Sequence, residues 1–99
     1  MDGFTSGEGG VVEMTFWVYA LQSLKDGRYY VGNTQDIEDR VRRRNAGDYR
    51  YTKGHRPWKL VYRERVKSRS EAVKLERFFK TGVGRKILNK NISQYLYRP

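Results

Sequence analysis

Four side chains, Tyr19, Tyr30, Arg40 and Glu76, have the types that phosphodiester chemistry calls for. Cutting such a bond by in-line attack of water needs three things. One group orients or deprotonates the water, a cation meets the charge gathering on the phosphate oxygens, and in most sites a carboxylate holds a metal ion. Two tyrosines, an arginine and a glutamate can fill those places. Each also has an ordinary reading. Strand tyrosines are commonly core aromatics whose hydroxyls reach the surface. Arg40 can be one more charge on a solvated helix, and Glu76 can pair with Lys80 one turn later. Only their joint arrangement raises the chemical reading above the ordinary one.

The elements that must carry these residues can be read from the pattern. Thr15 to Leu21 and Tyr29 to Thr34 are rich in β-branched and aromatic residues, and Asp26-Gly27 lies between them, which predicts a hairpin with Tyr19 and Tyr30 on partner strands. In Gln35 to Asn45, Ile37 and Val41 stand four apart among charges, predicting an exposed helix that bears Arg40. Ala46 to Pro57 contains Gly, Asp and Pro and reads as a long loop. Alternation in Trp58 to Arg63 predicts a third strand with Trp58, Leu60 and Tyr62 on its buried face. Ser68-Arg69-Ser70-Glu71 has the form of a capping box, and Ala72, Leu75 and Phe79 follow at helical spacing, so Glu76 falls on a second helix. Gly82 and Gly84 are expected to end it, a short basic helix to run from Arg85 to about Asn89, and residues 91–99 to be weakly structured. Residues 1–13 hold four glycines among small and acidic residues and read as a disordered leader, leaving one folded domain over 14–90. The expected class is α+β, a three-stranded antiparallel sheet flanked by helices in the order β-β-α-β-α-α.

The order and spacing of these residues resemble the GIY-YIG nuclease domain, in its compact stand-alone form. Trp17-Val18-Tyr19 and Tyr30-Val31-Gly32 are drifted versions of the two short motifs that name the family. Arg40, in Asp36-Ile37-Glu38-Asp39-Arg40-Val41, matches the arginine of its first helix, and Glu76 the glutamate of a later one. The resemblance spans about Thr15 to Asn89 and includes the amino-terminal catalytic domain of bacterial excision-repair nucleases. It implies that Tyr30 deprotonates or positions water and that Tyr19 bonds in the same cluster. It further implies that Arg40 meets the scissile phosphate and that Glu76 holds a single divalent cation, Mg2+ or Mn2+. Oxygen ligation by carboxylate and water suits those hard ions. The chain departs from the family pattern at three places: Trp17 replaces a glycine, Asn33 stands where some members have lysine, and Arg44 where many small relatives carry histidine. Asn89 is a loose match to a carboxy-terminal asparagine of some members, and His55, the sole histidine, is an auxiliary candidate.

Composition bounds the partners. Among 99 residues, Lys and Arg number 21 against 11 Asp and Glu, a formal charge of +10, and there is no cysteine. Such an excess attracts polyanions. Arg42, Arg43, Arg44, Lys53, Arg56, Lys80, Arg85 and Lys86 are the expected phosphate track, giving affinity with little base selectivity. The expected partner is DNA, branched or damaged forms included, with RNA left open and an unidentified protein partner as a source of specificity. The absence of cysteine, of a signal segment and of any long apolar run fits a soluble cytoplasmic protein with no membrane partner. Two other readings stay open: a binding module of the same fold with weak or lost turnover, and a basic interaction or ribosome-linked domain.

Overall fold

The computed structural model describes residues 15–97; the expected leader over 1–13 lies outside them. Strand β1 (Phe16–Ser23) is the spine of the sheet. Val18, Tyr19, Ala20 and Leu21 are all fully buried, because β1 is paired on both sides and covered on both faces. A strand so placed reads as a continuous apolar run. β2 (Tyr29–Thr34) and β3 (Trp58–Val66) flank it, both antiparallel, in the order β2-β1-β3.

Alternation along β1 divides the core in two. Tyr19 and Leu21 point to the face shared with Ile37 and Trp58, with Tyr30 and Val41 packed at its margin. Val18 and Ala20 point the other way, toward Val31, Val61, Ala72, Phe79, Leu88 and Ile92. Each such large apolar side chain contributes about 1.5–3 kcal/mol on burial. The first face is closed by α1 (Ile37–Ala46) and a short α2 (Arg50–Lys53), the second by α3 (Arg69–Phe79) and α4 (Gly82–Tyr97). The α+β sheet-and-helix architecture matches the expectation.

Local chemistry sets the ends of these elements. Ser23 accepts from the amides of Lys25 and Asp26 through its hydroxyl, and Gly27 turns the hairpin at φ +81. Asp36 caps α1 by accepting from the Asp39 amide, and Glu38 and Asp39 open that helix while Arg43 and Arg44 close it, which suits its dipole. Ser68 accepts from the Glu71 amide, as the capping pattern requires, but the Glu71 carboxylate reaches back to the amide of Lys67.

Three expectations are corrected. The presumed loop over 46–57 contains α2, held because Thr52 is fully buried and its carbonyl accepts from the Trp58 indole at 2.9 Å. β3 does not keep one buried face. Ala20 pairs with Tyr62 while Leu21 pairs with Leu60, so Val61 is an extra residue, and the bulge turns it and Tyr62 to the α3–α4 side. Finally, Gly82 and Gly84 open a helix rather than end one. Gly84 lies against the Phe78 carbonyl, where a Cβ would come within 1.7 Å, and α4 runs unbroken through residues 91–97 because Leu88 and Ile92 anchor it one turn apart.

Candidate active site at the edge of the sheet

Register brings the two tyrosines together. Tyr19 pairs across β1–β2 with Gly32, and Tyr30 with Leu21, so both phenols leave the same face of the sheet. Gly32 supplies the space. A Cβ there would stand 2.7 Å from the Tyr19 hydroxyl oxygen and 3.1 Å from the Tyr30 ring. The glycine of the second motif is thus the socket for the phenol of the first.

Helix α1 supplies the group that joins them. Ile37, Val41 and Arg44 fall at i, i+4 and i+7, one face of a helix, and that face meets the sheet. Arg44 is only 4% exposed. Its Nη2 donates to Tyr30 Oη at 2.8 Å, its Nε to Tyr19 Oη at 3.3 Å, and its Nη1 to Thr52 Oγ1 at 3.3 Å. Its Cζ lies 3.9 Å from the Tyr30 ring centroid and 4.3 Å from that of Tyr49. Every one of these partners is neutral, and among the described residues Arg44 has no carboxylate. Burying a guanidinium costs several kcal/mol unless hydrogen bonds and aromatic faces replace its water. Arg44, expected on the phosphate track, is therefore corrected to the interior. The same stripe that buries Ile37 and Val41 buries it.

Arg40, one turn earlier, is half-buried and stands 5.5 Å from the Tyr49 ring centroid. It makes no ion pair among the described residues and no hydrogen bond to either phenol. Burial pushes the Tyr19 hydroxyl above its ordinary pKa, and the opposing pull of the Arg44 bond and charge, with a smaller pull from Arg40, does not cancel it. Tyr19 is a neutral hydrogen-bonding member of the cluster.

Glu76 does not join the phenols directly. It shares the inward stripe of α3 with Ala72 and Phe79 and meets the other face of the sheet. There Asn33 donates to its Oε1 at 2.5 Å and Lys80 to its Oε2 at 2.7 Å. Because Asn33 pairs with Val18 and Gly32 with Tyr19, the strand pleat separates the two groups. β2 is an outer strand, however, and an open cleft of about 240 Å³ lies along it, lined by Tyr29, Tyr30, Val31, Tyr51, Lys80 and Arg85. Tyr30 reaches it from one face, and Lys80, the partner of Glu76, from the other.

Among the described residues no three His, Cys, Asp or Glu side chains come together so as to hold a metal ion. A single carboxylate completed by water and phosphate oxygens is still a donor set that Mg2+ accepts. Glu76 fits that role on one condition: both its oxygens are engaged, so a cation would take the place of the exposed Lys80 ammonium.

The remaining candidates divide. Arg42 and Arg43 share Asp39 as ion-pair partner on the exposed side of α1, the latter at 2.9 Å. Lys53, Arg56, Arg85 and Lys86 are exposed; Arg56 also donates to the Lys53 carbonyl at 2.9 Å. His55 faces the hairpin, with Nδ1 2.7 Å from Asp26 Oδ2, and its ring touches Tyr51 and Trp58. Asn89 is exposed on α4 and makes no contact with the cluster, whereas Asn91 lies half-buried at the Tyr62 hydroxyl. Residues outside the original candidates, Gly32, Tyr49 and Thr52, complete the surroundings of Arg44 and the phenols.

Comparison with known proteins adds the following. The GIY-YIG catalytic domain family matches residues 15–90. A UPF0213 protein of Staphylococcus saprophyticus is 47% identical over 66 residues, covering 66% of this chain and 79% of that protein. One from Listeria welshimeri is 42% identical over 79 residues, covering 79% and 81%. One from Halobacterium salinarum is 43% identical over 60 residues, covering 60% and 77%. The solution NMR structure of a UPF0213 protein from Bacillus halodurans aligns with TM-score 0.49 and 27% identity, covering 87% of this chain and 100% of that one.

Proposed function

The chain belongs to the GIY-YIG catalytic domain family, and from that premise we propose that it is a metal-dependent endonuclease that hydrolyses DNA with little sequence selectivity. The family is in general one of endonucleases, which typically use a divalent metal. The observation that carries the reading is the pair of phenol oxygens held by one buried guanidinium, with Tyr30 opening onto a cleft lined by Lys80 and Arg85. A buried positive charge with no carboxylate partner, beside a cleft lined by the exposed cations Lys80 and Arg85, is complementary to a phosphodiester.

In this reading Tyr30 positions the attacking water and, having given up its own hydroxyl proton to solvent, takes one from that water; Tyr19 holds the cluster in register, and Arg40 meets a phosphate oxygen. Bound at Glu76, Mg2+ or Mn2+ would supply Lewis-acid stabilisation of charge on the phosphate. Lys80 would then release the carboxylate and turn its ammonium to the strand lying along β2. The exposed cations Arg42, Arg43, Lys53, Arg56, Arg85 and Lys86 would hold the backbone without reading bases.

One observation favours a second reading, a nucleic-acid-binding module of weak turnover: both Glu76 oxygens already have partners. Supercoiled-plasmid nicking with Mg2+ or Mn2+ separates the two. For the nuclease, wild type nicks and Arg40→Ala and Glu76→Ala each lose at least about 100-fold, the scale of one electrostatic stabiliser. Equal residual nicking in all three would leave only the binding module.

A further inference from the structure

A histidine can accept a proton and pass it on; an arginine cannot. The group that joins the two phenols is Arg44, and its two bonds to them run in one direction only. A guanidinium has no acceptor, so Tyr19 Oη and Tyr30 Oη must both accept from it. Each hydroxyl proton then has to point away from Arg44. Tyr19 is fully buried, but Tyr30 lines the open cleft, so its proton has a way out toward substrate and solvent.

We propose that Arg44 is a positioning residue: a permanent cation that fixes both phenol oxygens as acceptors and, being unable to take up a proton, leaves the cleft as the exit for the Tyr30 proton. This deepens the nuclease reading and rests on it for its kinetic consequence. The Tyr30 hydroxyl proton leaves through the cleft to solvent, the phenolate so formed takes a proton from the attacking water, and the next turnover needs that proton to leave by the same route. Hydrolysis is then driven by rising pH. The charged and titratable groups that face the pair are few. Arg40 and Arg44 come from α1, Tyr49 from the turn before α2, Tyr51 from α2 itself, and Lys80 and Arg85 from across the cleft. His55 packs against Tyr51 and Trp58 and is tied to Asp26. Arg44 lowers the pKa that burial raises on Tyr19, in keeping with a cation that favours the ionised phenol.

Two readouts test this on the full chain. First, plasmid nicking is measured from about pH 6 to pH 9 for wild type and for Arg44→His. The wild-type rate should climb about tenfold per pH unit, as for a reaction limited by loss of one proton, whereas the histidine variant should level off near its own pKa of about 6.5. Parallel profiles overturn the proposal. Second, NMR of tyrosine labelled at Cζ follows ionisation without any catalysis, with the Tyr19 resonance assigned through Tyr19→Phe. Arg44→Gln should shift the Tyr19 titration to higher pH, and Arg44→Lys, which keeps the charge, should stay closer to wild type. An unchanged Tyr19 titration in Arg44→Gln overturns the proposal. Should Arg44→Gln fail to fold, the lysine variant decides: a full return to the wild-type Tyr19 titration together with slower nicking supports positioning, and wild-type nicking overturns it. If wild type nicks at no pH, the nuclease reading falls, while the NMR arm still decides whether Arg44 governs the phenols.

Discussion

At the scale of single residues, the site depends on one missing side chain and one buried charge. Gly32 leaves room for the Tyr19 hydroxyl, and Gly32→Ala would set a methyl group 2.7 Å from that oxygen. Tyr19 is walled in and fully buried, so it has little freedom to retreat. Overpacking of this kind costs about 1–3 kcal/mol, to be read as a lower urea midpoint, and it should also weaken the Tyr19–Arg44 bond. A wild-type midpoint would show that the phenol moves aside freely. The placing of Tyr19 and Tyr30 on partner strands was legible in the sequence because a hairpin follows from short-range alternation and a turn signal. Arg44 was misread. Its charge argued for solvent, while its place at i+7 from Ile37 and i+3 from Val41 argued for the interior. Position on the apolar stripe was the better guide, because packing geometry, not residue type, decides which helix face meets the sheet.

At the scale of elements, the hairpin end and the segment before β3 are sewn together. The Ser23 hydroxyl donates to the His55 carbonyl at 2.6 Å, Lys25 Nζ to the Gly54 carbonyl at 3.1 Å, and Asp26 meets His55. The Arg28 amide first, then His55, hold the Asp26 carboxyl down from 3.8 to about 2. A depressed folded-state pKa contributes stability above the unfolded value, and that stability is lost as pH falls through the folded one. Asp26 should therefore cost the protein stability between about pH 4 and pH 2. Asp26→Asn should flatten the dependence of the thermal midpoint on pH in that window; an unchanged slope would show the tether to be idle. The hairpin, the first helix and the Ser68 cap were visible in advance, being set by local chemistry. The bulge at Val61 was not, since it arises from how β3 meets β1, a long-range pairing. Nor was the extent of α4: its two early glycines have the form of a stop, and the contact of Gly84 with the Phe78 backbone explains the second of them.

For the whole molecule, charge and edge geometry act together. A net +10 on a small domain predicts binding dominated by counterion release. With about six phosphate contacts, affinity for duplex DNA should fall about 1,000-fold between 50 and 200 mM salt. The double variant Arg85→Ala, Lys86→Ala should reduce the slope of log affinity against log salt by about 2, measured by fluorescence anisotropy. A slope that ignores these cations would move the nucleic acid elsewhere. The overall charge and the α+β class were plain from composition and pattern. Which face each catalytic candidate occupies was not, because the pleat that parts Glu76 from the phenols depends on strand order. Another consequence is optical. Trp58 is nearly solvent-free, with its indole bonded to Thr52 and its ring 6.4 Å from that of Tyr30, whereas Trp17 lies half-buried under Arg63. Emission from the buried indole is a built-in lamp beside the cleft, so that filling of the cleft can be followed by intrinsic fluorescence, free of any attached dye.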